Sequence, residues 1–368
     1  MTSRRRFLAA LGAAATGPAL AGCGYYPGGG DIRWREESLG GLYRSDEVGV
    51  TGETLYTVSE SVMSYDIDTE TWVDGAEVVA YDTGNGRERF TEQFDRPASV
   101  AALGAGGAAV ALGDEENPSQ TVARFGPDGQ SWETPVEGGV ERLAVAEERV
   151  YAVTADGALA ACADGSERWR VDLEPELGSD EGGFGPTVAA SAETVVCWVG
   201  GSTVCFDPDG TRRWSRSTVN ARRLSLVDGE VFAHAGHGLA TLDSDTGETR
   251  WISGDNVASF AVTADAIYCR ISLGVVAFDR SGTRQWTAGE GSDAGRNRGV
   301  DDSPDYFDRV AADDRGVFVE SDSGLTALAT DDGSRRWTVD YDRIDEGPFL
   351  VDEGVLVVSG QGATCHIP

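Results

Sequence analysis

The chain has 368 residues, 62 of them acidic and 30 basic, for a formal net charge of −32 at pH 7; no lysine occurs, so every basic residue is arginine. That balance excludes nucleic acid as a partner, because its phosphates would be repelled, and disfavours direct attraction to an anionic membrane surface. With 40% hydrophobic residues the chain is no disordered acidic tail and can bury a core.

The first thirty residues carry an address rather than a fold. Arg4, Arg5 and Arg6 precede an apolar run from Phe7 to about Ala15. That run is too short to span a bilayer, which takes about 20 residues, and it reads as a signal peptide. The stretch "SRRRFL", Ser3 to Leu8, resembles the twin-arginine export signal S-R-R-x-F-L. "LAGC", Leu20 to Cys23, resembles a lipobox. These resemblances imply a signal peptide over 1–22 and a lipid on Cys23 that holds the protein to the outer face of the cytoplasmic membrane. Residues 23–30, "CGYYPGGG", read as a flexible tether without an apolar period. Rich in acid and without lysine, the chain also resembles proteins of extremely halophilic archaea. At molar salt the Debye length is roughly 3 Å, so surface carboxylates barely repel one another and serve to hold water.

From residue 31 onward a repeat dominates. Residues 140–171, "VERLAVAEERVYAVTADGALAACADGSERWRV", divide into four short strands at about 140–145, 149–154, 158–162 and 166–171. Asp156-Gly157 and Asp164-Gly165 are hairpin signals, because Gly supplies the positive φ that tight turns require. Further copies are "TVARFGPDGQSW" ending at Trp132, "STVCFDPDGTRRW" at Trp214, "GLATLDSDTGETRW" at Trp251, "GVVAFDRSGTRQW" at Trp286 and "GLTALATDDGSRRW" at Trp337. "EVVAYDTGNGRERF" is a weaker copy with Phe90 in the tryptophan place. Units this short must stack on their neighbours to bury both faces. A terminal tryptophan would fill the wedge between twisted blades and send its indole N–H to a carbonyl of the next blade. Ala152, Ala160, Ala233, Ala240, Ala277 and Ala327 fit inner strands that converge on an axis and need small side chains.

The pattern V-[YF]-A…G-x-[LV]-x-A-[LF]-D-x-x-[TD]-G-x-x-x-W resembles the repeat of the pyrroloquinoline-quinone (PQQ) propellers over nearly all of 31–368. The resemblance implies an all-β fold, a β-propeller of four-stranded antiparallel blades. Terminal aromatics number eight: Trp34, Phe90, Trp132, Trp169, Trp214, Trp251, Trp286 and Trp337. Trp34 has no three strands before it, and the C-terminal strands of 348–367 have no tryptophan after them. The strand around Ile32–Arg35 is therefore expected to close the last blade, which gives eight blades; seven is the alternative, if 40–90 does not form a full one.

The PQQ-dependent alcohol dehydrogenases hold a quinone on the axis, under a disulfide of adjacent cysteines, with a calcium ion and an Asp base. Here no two cysteines are adjacent, and no calcium site carries over residue by residue. No cofactor and no catalytic or metal-binding residue is assigned. The chain is similar instead to the PQQ-repeat lipoprotein of the bacterial outer-membrane assembly machinery, which implies a non-enzymatic scaffold for a protein or peptide partner. The alternative is a quinone-dependent dehydrogenase.

Cys197 and Cys205 flank "WVGGSTV"; a three-residue turn at 200–202 would set them opposite each other for a disulfide, which an extracytoplasmic compartment permits, while the same places in the 140–171 unit hold Ala152 and Ala160 and suit small packing residues. Cys162, Cys269 and Cys365 read as buried and free. His234 and His237 sit at a hairpin tip, two ligands without a third. "DIDTETWVDG", 66–75, is acidic but lacks the glycine at the sixth place of a calcium loop.

In a four-stranded up-and-down blade, loops joining strands two and three share a face with the connections between blades. The long segments 60–76, 113–120, 173–186, 288–308 and 339–348 all fall on that face. They carry Tyr65, Trp72, Phe184, Arg296, Arg298, Tyr306 and Tyr341, residue types enriched at binding hot spots. This face is the expected partner-binding surface.

Overall fold

The computed structural model describes residues 29–37, 45–66, 71–113, 119–173, 185–217, 221–235, 238–271, 274–289, 309–321, 324–352, 354–360 and 362–368. The described strands form eight antiparallel sheets of four. In chain order, blades 1 to 7 span 47–93, 98–137, 140–172, 187–217, 221–252, 257–288 and 310–340; blade 8 combines 346–366 with the strand Ile32–Glu36. In blade 3 the strands are Val140–Ala146, Arg149–Thr154, Ala158–Ala163 and Ser166–Asp172. Asp164 and Gly165 turn between the last two with φ of 48° and 68°, the two positive values of a type I′ hairpin.

The core lies between blades, not within them. Eight buried apolar clusters each join one pair of neighbouring blades and together close a ring. First strands pack against first strands of neighbouring blades nearly all round the ring and so lie at the axis. Ala152, Ala160, Ala233, Ala240, Ala277 and Ala327 are buried, but they sit in second and third strands rather than at the axis. Ala277 and Ala327 lie directly opposite Trp286 and Trp337, so their small size makes room for the indole beside them.

The repeat signature has a mechanical reading. An aspartate ends the third strand and caps the following turn: Asp243 Oδ1 accepts from the backbone N–H of Asp245 (3.0 Å) and of Thr246 (2.9 Å). The turn glycine has positive φ, and the aromatic of the preceding blade occupies the space its Cβ would fill. A Cβ at Gly86, Gly210, Gly247, Gly282 or Gly333 would stand 2.5–2.9 Å from Trp34, Trp169, Trp214, Trp251 or Trp286 respectively. The indole N–H of Trp34, Trp169, Trp214 and Trp286 donates to a carbonyl of that next turn, on Thr83, Pro208, Ser244 and Thr330, at 2.8–3.0 Å.

A β-bulge precedes the aromatic in every fourth strand. It re-aims the aromatic toward the next blade and leaves one residue facing the blade's own turn. That residue is Arg89, Arg168, Arg213 or Arg250 in blades 1, 3, 4 and 5, and each pairs with the turn aspartate Asp82, Asp164, Asp207 or Asp243 at 2.5–2.7 Å. The Arg250 hydrogen bond, with the turn amides behind it, holds the Asp243 carboxyl down to about 2.

Closure follows the expected route: Ile32–Glu36 pairs with Gly362–His366 as the fourth strand of blade 8. Ile32–Glu36 thereby becomes the short outer edge strand of that sheet. Gly29 and Gly30 pack as part of this closure, and residues 1–28 lie outside the described residues. The Gly30 N–H donates to Ile367 O (2.7 Å), the Ile367 N–H to Asp31 O (2.8 Å), and His366 Nδ1 to Gly30 O (2.8 Å). Gly30, at φ 83°, stands four residues before Trp34 and packs under Trp337 as the turn glycine does elsewhere. Two segments far apart in sequence replace a covalent turn here, and among the described residues the Trp337 indole N–H meets no carbonyl.

A candidate partner-binding face

The antiparallel order fixes two unlike faces. One, the base, holds the turns between strands one and two and between strands three and four. These are short throughout, such as Glu147-Glu148, Asp228-Gly229 and Asp164-Gly165. The other holds the connections between blades and between strands two and three. There the chain runs from Asp172 to Thr187, from Ala288 to Val310 and from Leu112 to Ser119 between strands. The connection from Glu36 to Glu47 joins the same face, a long segment that the sequence pattern did not single out.

The most distinctive part of this face is a ribbon. In blade 1 the second and third strands run Thr54–Asp66 and Thr71–Asp82, 13 and 12 residues against 5 to 8 in most other blades. Beyond a register shift between Ser59 and Val62 the pairing continues to Asp66 opposite Thr71. At about 3.3 Å per residue the extension projects roughly 15–20 Å past its sheet. Residues 60–66 and 71–76 thus belong to two long strands paired as a ribbon rather than to an open loop, while 67–70, within the acidic stretch 66–75, lie outside the described residues. Tyr65 lies opposite Trp72 near the tip. Met63, two residues back and opposite Asp74, is 58% exposed.

Among the other expected contact residues, Phe184, Arg296, Arg298 and Tyr306 lie outside the described residues, as does Cys23. Tyr341 does not face outward. Strand Arg335–Asp340 and strand Glu346–Val351 leave only a short connection, so 339–348 is no long insertion. Tyr341 turns into the interface of blades 7 and 8, where its hydroxyl meets His366 Nε2. Burial pushes the Tyr341 hydroxyl above its ordinary range and His366 below its own.

Cys197 and Cys205 form no disulfide. The turn between their strands is Gly200-Gly201, one residue shorter than expected, so Cys197 pairs with Val204 and Cys205 with Val196. A one-residue slip sends the two side chains to opposite faces of the sheet. Cys197 packs between blades 3 and 4, Cys205 between blades 4 and 5. Cys162, Cys197, Cys205, Cys269 and Cys365 are all buried and free. Burial pushes the Cys162, Cys205 and Cys269 thiols up to about 12, which makes them inert near neutrality. His234 Nε2 meets Val257 O, a structural contact between blades 5 and 6; His237 lies outside the described residues. Among the described residues no three His, Cys, Asp or Glu side chains group closely enough to hold a metal ion.

The base is polar and tightly cross-linked. Glu230, buried, is gripped by Arg250 of its own blade and Arg280 of blade 6. Arg124 is 1% exposed, and its hydrogen bonds go to backbone carbonyls. Its Nη2 donates to Gly106 O (2.7 Å) and Glu147 O (2.6 Å), clamping the first turns of blades 2 and 3. Burial lowers its pKa. The sequence carries a signal for it: Arg124 stands opposite Trp132, in the place held by Cys205, Ala277 and Ala327 in other blades. A cavity of about 440 Å³ with a mixed lining lies against the first strands of blades 2 to 5, among them Leu103, Val145, Val188 and Leu224, with Glu147, Ser191 and Ser225 beside them.

Residues 117–339, more than half of the chain, match the family described as outer membrane protein assembly factor BamB. Among solved structures, BamB from Moraxella catarrhalis is similar at 16% identity, with a TM-score of 0.57 over 88% of this chain and 97% of that one. Sqt1 from Saccharomyces cerevisiae is similar at 9% identity, with a TM-score of 0.60 over 92% of this chain and 98% of that one. At these identities the likeness is one of fold. No curated protein matches the sequence.

Proposed function

The chain belongs to the family of the outer membrane protein assembly factor BamB, and from that membership we propose that it is a non-enzymatic scaffold that docks a protein or peptide partner on its long-loop face. A lipid on Cys23 holds it to the outer face of the cytoplasmic membrane after export through the twin-arginine route. The observation that carries the reading is the asymmetry of the two faces. Short, mutually pinned turns close the base, whereas the blade 1 ribbon and the long connections gather on the other side.

An isolated two-stranded ribbon is marginal in water. A partner that packs on its exposed side chains or pairs with its edge would gain contact at little ordering cost, because the register is already set. The segments assigned to this face carry Tyr65, Trp72, Arg296 and Arg298 in their sequence, residue types that carry most interface energy.

The test starts from cross-linked native membranes, from which the tagged protein and whatever it holds are recovered and identified. Two variants are then compared against that partner. One replaces Trp72, Arg296, Arg298 and Tyr306 with Ala; the other alters base turns through Asp209→Ser and Asp265→Ser. Loss of about tenfold or more in affinity for the first variant alone is expected. Loss confined to the base variant would overturn the face assignment. A chromophore taken up from quinone and Ca²⁺ by the purified protein would overturn the non-enzymatic reading.

A further inference from the structure

We propose that the base corner of blade 8 is a membrane-contact surface, with Ile32 and Ile367 seated at the bilayer interface, so that the long-loop face points away from the membrane. This rests on the reading of Cys23 as the lipid anchor.

The entry point of the tether is set by backbone pairing. Ile32 is opposite His366, and Glu36 is opposite Ala363. His366 ends the third strand of its blade, so Ile32 and Gly29 lie at the base and Glu36 at the long-loop face. At most about 3.5 Å per residue, the stretch from Cys23 to Gly29 reaches roughly 20 Å. A blade strand of five or six residues is itself about 17–20 Å tall. Turning the long-loop face to the bilayer would use the whole reach of the tether merely to climb the side of blade 8. With the base down, the same tether is slack.

The surface at that corner fits a lipid interface. Four large hydrophobic side chains are well exposed among the described residues: Ile32 (50%), Met63 (58%), Ile252 (61%) and Ile367 (46%). Two of the four, Ile32 and Ile367, share this one corner, joined through the Ile367–Asp31 hydrogen bond. Arg33 and Arg335, exposed on the outer strands of blades 8 and 7, bring positive charge to the same side. Acidic turns run all round the base, with Glu147, Glu193 and Asp228 in blades 3 to 5 and Asp314, Asp331, Asp332 and Asp352 in blades 7 and 8. An anionic bilayer would repel carboxylates at every part of the base, so the paired isoleucines and the tether, not charge, select the blade 8 corner as the point of contact. Screening at molar salt softens the repulsion, and the apolar contact remains.

The buried thiols make a probe experiment clean, because a single introduced surface cysteine is the reactive one. Lipidated protein carrying Asp31→Cys or Gly360→Cys is labelled with an environment-sensitive dye and reconstituted on vesicles of diether phosphatidylglycerol containing nitroxide-bearing lipid, in molar KCl. Residue 31 lies between the two isoleucines, and residue 360 is the turn at the opposite end of the same blade, where nothing stands within 4 Å of an added Cβ. The dye at 31 should be quenched severalfold more than the dye at 360. Ile32→Gln with Ile367→Gln should reduce the quenching at 31 while leaving the melting temperature unchanged. Equal quenching at both positions, or stronger quenching at 360, overturns the orientation. The mass of the purified protein reads the anchor separately. Lipid on Cys23 with the dye at 360 quenched overturns this inference alone; an unlipidated Cys23 with neither dye quenched overturns both readings.

Discussion

The contact between a turn glycine and the tryptophan of the preceding blade is the unit from which the ring is built, and one substitution isolates it. Gly282 has φ of +84°, and a Cβ there would lie 2.7 Å from Trp251 Cγ. Gly201 has nearly the same φ, +85°, with nothing within 4 Å of an added Cβ. Alanine at either site bears the left-handed backbone penalty, about 1–2 kcal/mol. Only at Gly282 must it also displace an indole packed between blades 5 and 6, an overpacking cost of about 1–3 kcal/mol. Gly282→Ala should therefore cost about 2–5 kcal/mol and Gly201→Ala about 1–2 kcal/mol. Trp251 suits the test because its indole N–H makes no hydrogen bond, which leaves packing as the main contact. In a Trp251→Ala background, itself about 3–5 kcal/mol less stable, Gly282→Ala should shrink to the backbone penalty alone, a coupling of about 1–3 kcal/mol. Urea unfolding at constant molar KCl, followed by far-UV circular dichroism, measures all four proteins. Equal costs at Gly201 and Gly282, or strict additivity with Trp251→Ala, would refute the docking-turn account.

Three more outcomes are expected. The melting temperature should fall as KCl drops from molar to about 0.05 M, because screening weakens as the Debye length grows from roughly 3 Å to beyond 10 Å on a chain of net charge −32; a flat profile contradicts the halophilic reading. Burial lowers the His366 pKa, with Arg35 acting in the same direction, so the unfolded chain takes up its proton near pH 6.5 and the folded chain only below that. His366 therefore costs stability as pH falls through about 6.5 toward the lower folded value, and His366→Gln should flatten that part of the urea-midpoint profile relative to the parent; identical slopes would sink the idea. Glu230→Gln should cost about 2–3 kcal/mol, because two arginines lose a buried anion, whereas Arg250→Ala should cost less, since its guanidinium is 45% exposed; the reverse order in urea midpoints would contradict the network.

The repeat was legible because its parts act locally. Aspartate caps a turn, glycine takes the positive φ, and tryptophan four residues on fills the wedge, so a short window of sequence carries both the blade and its junction. The same window explains where reading ran short. "GGGDIRW" contains the glycine-to-tryptophan spacing from Gly30 to Trp34, yet Gly30 is separated from the strand it pairs with by the whole length of the chain, and its role emerges only once the ring is closed. Cys197 and Cys205 turned on a single residue of turn length, the smallest error that exchanges the faces of a sheet. The blade 1 ribbon reads as an insertion in sequence because nothing in its composition says that Tyr65 and Trp72 will sit opposite each other; pairing register is a long-range property. Arg124 is the one charged residue in a row of small ones, a signal the sequence reading passed over, and its partners, the carbonyls of Gly106 and Glu147, are backbone atoms that no side-chain pattern announces. In each case the local chemistry was in the sequence and the missing element was a contact made across a blade boundary. Those boundaries hold the core, and they are where the two faces of the ring acquire their difference: the base is pinned turn to turn by Arg124, Glu230 and the arginines of the bulges, which leaves the opposite face as the one on which the chain can lengthen its connections without disturbing the ring.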